Sequence, residues 1–183
     1  YNSTKSVYAG RQDTNPTDKE MDVYKYQKED HTLYQAWLQY NPPSERLGDS
    51  LFKRIVAEGP NSTVKTAASE LTDAVESMFA LKPSVDTKSV SGPKVILGTD
   101  ETSSWIRKHA DELGLARIKE DGFIIKAVND GRDRTLVIAG KVPAGVIFGT
   151  FDLIRRVQLG QDPDKLEVLE NPQIPIRMGD HWA

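Results

Sequence analysis

From Leu33 to Leu169 the apolar residues switch repeatedly between the recurrence of an amphipathic helix and the dense runs of a strand, and that alternation admits few folds. The first run, Leu33 to Tyr40, favours a strand and stops at Asn41-Pro42-Pro43. Ser44 then offers a helix cap, and Leu47, Leu51 and Ile55 recur at helical spacing until Gly59-Pro60, which predicts a short amphipathic helix. A longer helix is predicted from about Ser62 to Leu81, with Val64, Ala67, Ala68, Leu71, Val75, Met78 and Phe79 on one face and Lys82-Pro83 closing it. After a polar loop containing Gly92-Pro93, Lys94 to Thr99 reads as a buried strand running into a capped turn at Asp100 and Thr102. A helix with Ile106, Ala110 and Leu113 inward follows and ends at Gly114.

Gly122 to Val128 and Thr135 to Ala139 are two β-rich runs joined by Asn129-Asp130-Gly131-Arg132-Asp133, which predicts a hairpin. Gly140 to Ala144 leads into a third long helix lined by Val146, Ile147, Phe151, Ile154 and Val157. Arg155 and Arg156 in its last turn suit the helix dipole, and Gly160 ends it. Leu166 to Leu169 is a further short strand, and Asn171-Pro172 with Pro175 carries the chain out to Arg177. The order strand, two helices, strand, helix, two strands, helix, strand predicts an α+β (α/β) domain, a mixed sheet packed with helices rather than a regular doubly wound βαβ repeat. Tyr1 to Asp30 is polar, without helical or strand period, and reads as a tail with little order of its own.

The chain contains no cysteine, which removes disulfides, thiolate metal sites and cysteine nucleophiles together. Its net charge of −3 comes from scattered basic and acidic residues, so there is no concentrated positive face for nucleic acid. No apolar run approaches the roughly 20 residues that span a bilayer. A first residue of Tyr rather than Met points to a removed leader or upstream segment.

Little else in the sequence signals chemistry. His31, His109 and His181 lack a second ligand at metal spacing, so no metal site is expected, and His109 reads as a partly exposed helix residue. Gly140 and Gly145 bracket Lys-Val-Pro-Ala before a helix, but Val146 and Ile147 stand where a phosphate loop needs Lys and Ser or Thr. A tight turn and close helix–sheet contact is the better reading. The strand at Val95 to Thr99 lacks the glycines of a dinucleotide site, and no serine sits in a nucleophile elbow. The carboxylate pairs Asp100/Glu101, Glu120/Asp121 and Asp162/Asp164 fall at turns and helix starts, where capping and solvation explain them. Trp37 and Trp105 fall on apolar faces and are expected to pack. Asn2-Ser3-Thr4 and Asn61-Ser62-Thr63 match the glycosylation acceptor pattern, a short pattern that often arises by chance.

Three segments carry a resemblance. Tyr34-Gln35-Ala36-Trp37-Leu38-Gln39-Tyr40, Gly140-Lys141-Val142-Pro143-Ala144-Gly145-Val146-Ile147-Phe148-Gly149, and Asn171-Pro172 through Arg177-Met178-Gly179-Asp180-His181-Trp182 resemble, in order and spacing, the N-terminal domain of family 67 α-glucuronidases. The match departs at Asp180 and Ala183, where the family has Asn and Asp. Beyond a polar tail at residues 1–32, the resemblance implies an α/β accessory domain like those of α-glucuronidases and hexosaminidases at 33–176, and the start of a (β/α)₈ catalytic barrel at 177–183.

It also implies a parent enzyme that removes glucuronic or 4-O-methylglucuronic acid from xylan-derived oligosaccharides by an inverting, single-displacement route without metal or cofactor. The catalytic residues of that enzyme would lie beyond residue 183, and the partner of this domain would be the C-terminal barrel of the same polypeptide. Trp182 alone matches a family position near the substrate pocket. The implied compartment is secreted or periplasmic, with the cytoplasm left open. The competing expectation is an independent carbohydrate-binding or cell-surface module, which would need an exposed aromatic platform.

Overall fold

The densest apolar runs become the centre of a sheet. The computed structural model describes residues 40–43 and 48–173, which lie in a unit beginning at Tyr40. Its strands are β1 (Arg54–Ala57), β2 (Ser84–Asp86), β3 (Lys94–Gly98), β4 (Phe123–Asp130), β5 (Asp133–Gly140) and β6 (Glu167–Glu170). They form one sheet in the order β2-β1-β3-β5-β4-β6. β2, β1, β3 and β5 run parallel, while β4 is antiparallel to both β5 and β6. This is the expected mixed sheet. Every residue of β3 is buried, as a central parallel strand covered on both faces requires. The hairpin forms with Asp130 opposite Asp133, so Gly131 and Arg132 alone make the turn, with Gly131 at a φ of 65°.

Helices α1 (Ser62–Phe79) and α4 (Pro143–Gln158) lie together on one face. The Asn61 side chain accepts from the Val64 N–H at 3.1 Å and opens α1. Pro143 opens α4 at a position where its missing N–H costs nothing. Val64, Leu71, Val75, Val146, Leu153 and Val157 join Ile55, Val95, Leu97, Ile125, Leu136 and Ile138 in the larger core. The opposite face is covered by shorter pieces, α2 (Ser104–Lys108), α3 (Ala110–Leu113) and a 3₁₀ turn at Leu115–Arg117. Trp105, Ile106, Leu113, Leu115 and Ile118 pack there on Val56, Ile96, Ile124, Val128 and Val137.

Three expectations need correction. The helix predicted from Ser44 to the Gly59-Pro60 stop is, where described, a 3₁₀ turn at Leu51–Lys53 followed by β1. Ile55 and Val56 are both fully buried but lie in different cores, one on each side of the sheet. Only an alternating strand achieves that, so the helical spacing of Leu51 and Ile55 was coincidental. The loop before Gly92 contains β2, an edge strand whose polar Ser84 and Asp86 concealed it and which pairs in parallel with β1. The helix expected to run to Gly114 is broken at His109, whose φ of −105° takes it out of the helical range. The tail at 1–32, residues 33–39 of the strand expected from Leu33 to Tyr40, and the barrel start at 177–183 lie outside the described residues, as do His31, His181, Trp37 and Trp182; Tyr40 itself is described and belongs to no strand.

Candidate functional site

An open α/β sheet most often binds ligands beyond the C-terminal ends of neighbouring strands whose connections leave in opposite directions. Here that point lies between β1 and β3: β1 leads through α1 to β2 on one side, and β3 leads towards β5 on the other. At this point the protein's own groups bond to one another. The Glu58 carboxylate follows β1 and accepts the Ser104 N–H at 2.6 Å, the Ser104 hydroxyl at 3.1 Å and the Ser89 N–H at 3.3 Å. Burial pushes its pKa up, but hydrogen bonds from Ser103, Ser104 and Ser89 outweigh that and hold it below the ordinary carboxylate range. The start of α2, where an anion would be welcome, thus already holds one. After β3, Thr99 and Thr102 satisfy each other: the Thr99 N–H donates to Thr102 Oγ1 at 2.8 Å, and the Thr102 N–H donates to Thr99 Oγ1 at 3.2 Å.

A second polar group lies at the opposite rim. The Lys94 side chain, 1% exposed, pairs with Asp130 Oδ2 at 3.3 Å. Trp105 Nε1 donates to the same oxygen at 2.8 Å. The Trp105 hydrogen bond, with help from Lys94, draws the Asp130 carboxyl below its ordinary range. Trp105 stacks on His109 with ring centroids 3.9 Å apart, and His109 Nδ1 lies 2.8 Å from the Trp105 carbonyl oxygen. Lys94 and Trp105 are buried, which leaves little reacting surface; the group ties α2 to the hairpin.

At the start of α4 the glycines serve packing. A Cβ at Gly145 would collide with the Gly122 carbonyl oxygen, and one at Gly149 would lie 2.8 Å from Ile138 Cγ2. The turn between Gly140 and Gly145 is a close helix–sheet contact, as its sequence indicated. A groove of about 340 Å³ between α1 and β2 is lined by Ala57, Ala68, Thr72 and Val85, with Lys65 at its margin. It offers an apolar wall but no acid and base facing each other.

Of the carboxylate pairs named from the sequence, Asp100/Glu101 and Glu120/Asp121 lie in turns and Asp162/Asp164 at the start of a 3₁₀ turn. Asp162 accepts the Asp164 N–H at 3.1 Å and pairs with Lys165 at 3.1 Å, and the Lys165 bond lowers its pKa. Asp164 binds Arg134 at 3.2 Å. Asp100 and Glu101 turn the chain, their carbonyl oxygens accepting from Arg107 at 2.7 and 3.0 Å. His109 is half-buried and Trp105 packs, as expected. Among the described residues no group of acidic and histidine side chains could hold a metal ion, and no helix is long and apolar enough to cross a membrane. Sequence reasoning passed over Glu58 and Lys94. Lys94 carried a signal, a charge opening an otherwise apolar run; Glu58, hidden inside a supposed helix end, carried none.

Residues 36–153 match the family described as glycosyl hydrolase family 67 N-terminus. A probable alpha-glucuronidase A of Aspergillus clavatus is 27% identical over 154 residues, covering 81% of this chain and 18% of that protein. Alpha-glucuronidase A of Emericella nidulans is 24% identical over 155 residues, covering 80% and 17% respectively. The chain therefore spans under a fifth of the length of these relatives. Among solved structures, a family GH115 4-O-methyl-alpha-glucuronidase with specificity for decorated arabinogalactans aligns with a TM-score of 0.47 and 22% identity, over 64% of this chain and 14% of that one.

Proposed function

The chain belongs to the glycosyl hydrolase family 67 N-terminus family, and from that premise we propose that it is the non-catalytic accessory domain of an α-glucuronidase-like enzyme acting on glucuronic acid side chains of xylan oligosaccharides. One observation carries the non-catalytic part. At the rim of the sheet where a ligand would enter, Glu58 bonds to Ser104 and Thr99 to Thr102, and Asp162 and Asp164 are held by Lys165 and Arg134. An inverting glycosidase needs two carboxyl groups about 6.5–9.5 Å apart across a sugar, one protonated and one ionised. In this reading those groups belong to a C-terminal barrel of the same polypeptide, at the strand ends where barrels carry their chemistry.

The domain's contribution is a rigid α/β body beside that barrel. The parent enzyme works by direct displacement with water, without metal or cofactor, and is exported to reach plant polysaccharide, outside the cell or in the periplasm. In this reading Trp182, through the family position it resembles, is the residue assigned to sugar contact. The rival carbohydrate-binding module is less well supported, because among the described residues the aromatic side chains pack inward, apart from Phe148 at 39% exposure. The test is hydrolysis of aldouronic oligosaccharides by the full-length polypeptide and by residues 1–183 alone. Uronic acid released only by the full-length protein supports the reading, and release by the shorter chain refutes it.

A further inference from the structure

The chain leaves the sheet through a joint built on one side chain, that of Asn171. β6 ends at Glu170 opposite Phe123, the first residue of β4, and Phe123 in turn faces Gly140, the last residue of β5. Next to this corner the Asn171 side chain makes two bonds to one backbone turn: its Oδ1 accepts the Lys119 N–H at 2.7 Å, and its Nδ2 donates to the Arg117 carbonyl oxygen at 2.9 Å. A Cβ at Gly122 would collide with Asn171 Oδ1, and one at Gly145 would collide with the Gly122 carbonyl. Asn171, Gly122 and the start of α4 are therefore stacked in direct contact. Pro172 follows, which confines Asn171 to extended backbone, fixes its own φ and offers no N–H to prolong the ladder.

We propose that Asn171 is a positioning residue that fixes the direction in which the polypeptide departs, so that this domain and the one after it move as a single body. The inference rests on the downstream domain of the proposed function. It follows from the chemistry of the clamp: the turn presents one donor and one acceptor, and a carboxamide of this length answers both. Asp would keep the bond to Lys119 and set an oxygen against the Arg117 carbonyl; Ala would lose both bonds.

The test uses the full-length polypeptide with one spin label at Ser77→Cys, on the exposed side of α1, and a second on the surface of the downstream domain. Pulsed dipolar spectroscopy then reads the spread of distances. The parent should give one narrow distribution, Asn171→Ala about a twofold broader one as the fixed exit becomes a flexible joint, and Asn171→Asp an intermediate width. Leu153→Ala, which loosens the core but removes neither clamp bond, should stay narrow. A broad parent, an unchanged Asn171→Ala, or equal broadening in Leu153→Ala overturns the proposal. Hydrolysis is assayed on the same samples: an inactive parent with the expected widths would sink the enzymatic reading alone, and an active parent with unchanged widths would sink the clamp alone.

Discussion

The two faces of the sheet are closed by different means. On one, α1 and α4 supply 18 and 16 residues of helix whose apolar stripes interlock with the strands. On the other, α2 and α3 supply five and four residues, too few to hold a helix by their own propensity. That face depends on particular bonds: Ser103 Oγ accepting from Ile106 N at 3.2 Å, Glu58 accepting from Ser104, and Trp105 donating to Asp130. Length lets a helix be specified by periodicity. A short helix must be specified by its ends.

The comparison predicts where damage is greatest. Leu153, fully buried on the inner face of α4, should cost about 2–5 kcal/mol when replaced by Ala, measured by urea unfolding of the domain. On the other face, Trp105→Phe keeps one aromatic ring but trims the indole and deletes the donor to Asp130, which retains Lys94, so the expected cost is about 1–2 kcal/mol. A loss from Trp105→Phe as large as that from Leu153→Ala would mean that the short-helix face carries the stability and would reverse the ranking. Acid should separate the faces further. The Glu58 and Asp130 carboxyls are drawn below their unfolded values, so each adds stability that is complete above the unfolded pKa and fades as pH falls through the folded one. Wild-type stability should therefore fall on the acid side of the ordinary carboxylate range. Glu58→Gln, less stable at neutral pH, should fall less steeply there; an identical slope would show that the capping carboxylate is not coupled to folding.

The same division explains what could be read from the sequence. The stripe from Val64 to Phe79 and the one from Val146 to Val157 announced the two long helices, and the Asp-Gly turn announced the hairpin. β1 was hidden because the four-residue step from Leu51 to Ile55 satisfies a helical count by accident, and burial on both faces only becomes visible when neighbouring strands are in place. β2 has a single apolar residue, Val85, and its strand character comes from β1. Glu58, Ser104, Lys94, Trp105 and Asp130 are far apart in sequence and are united by tertiary contacts, so no spacing rule reaches them. Asn171 stood within a segment recognised for its resemblance, yet its hold on Arg117 and Lys119 needed the turn to be folded.

Thr135 sharpens the comparison from the other direction. It is fully buried, and by register beside Lys94 and Val128 it faces the short-helix side, where its hydroxyl has no hydrogen-bond partner among the described residues. Thr135→Val should therefore stabilise the domain by about 1 kcal/mol, since an unmet buried hydroxyl is exchanged for a methyl group. A loss of stability on thermal or urea unfolding would mean that the hydroxyl is satisfied by bound water and belongs to the polar network around Lys94.

The smallest effect lies on the face of long helices, where packing tolerates an imperfect end. α1 closes on Ala80 at a φ of 51°, and the Ala80 N–H donates to the Glu76 carbonyl at 2.9 Å. That left-handed conformation crowds a Cβ and suits glycine, which ends helices in this geometry without the penalty. Ala80 is exposed, so its methyl group gives up little packing when removed. Glycine also loosens the unfolded chain, which offsets part of the gain. Ala80→Gly should therefore raise stability by roughly 0.5 kcal/mol, within the resolution of paired urea titrations. A loss instead would show that the methyl group contributes to the end of the helix, and that the long-helix face, too, depends on how its helices terminate.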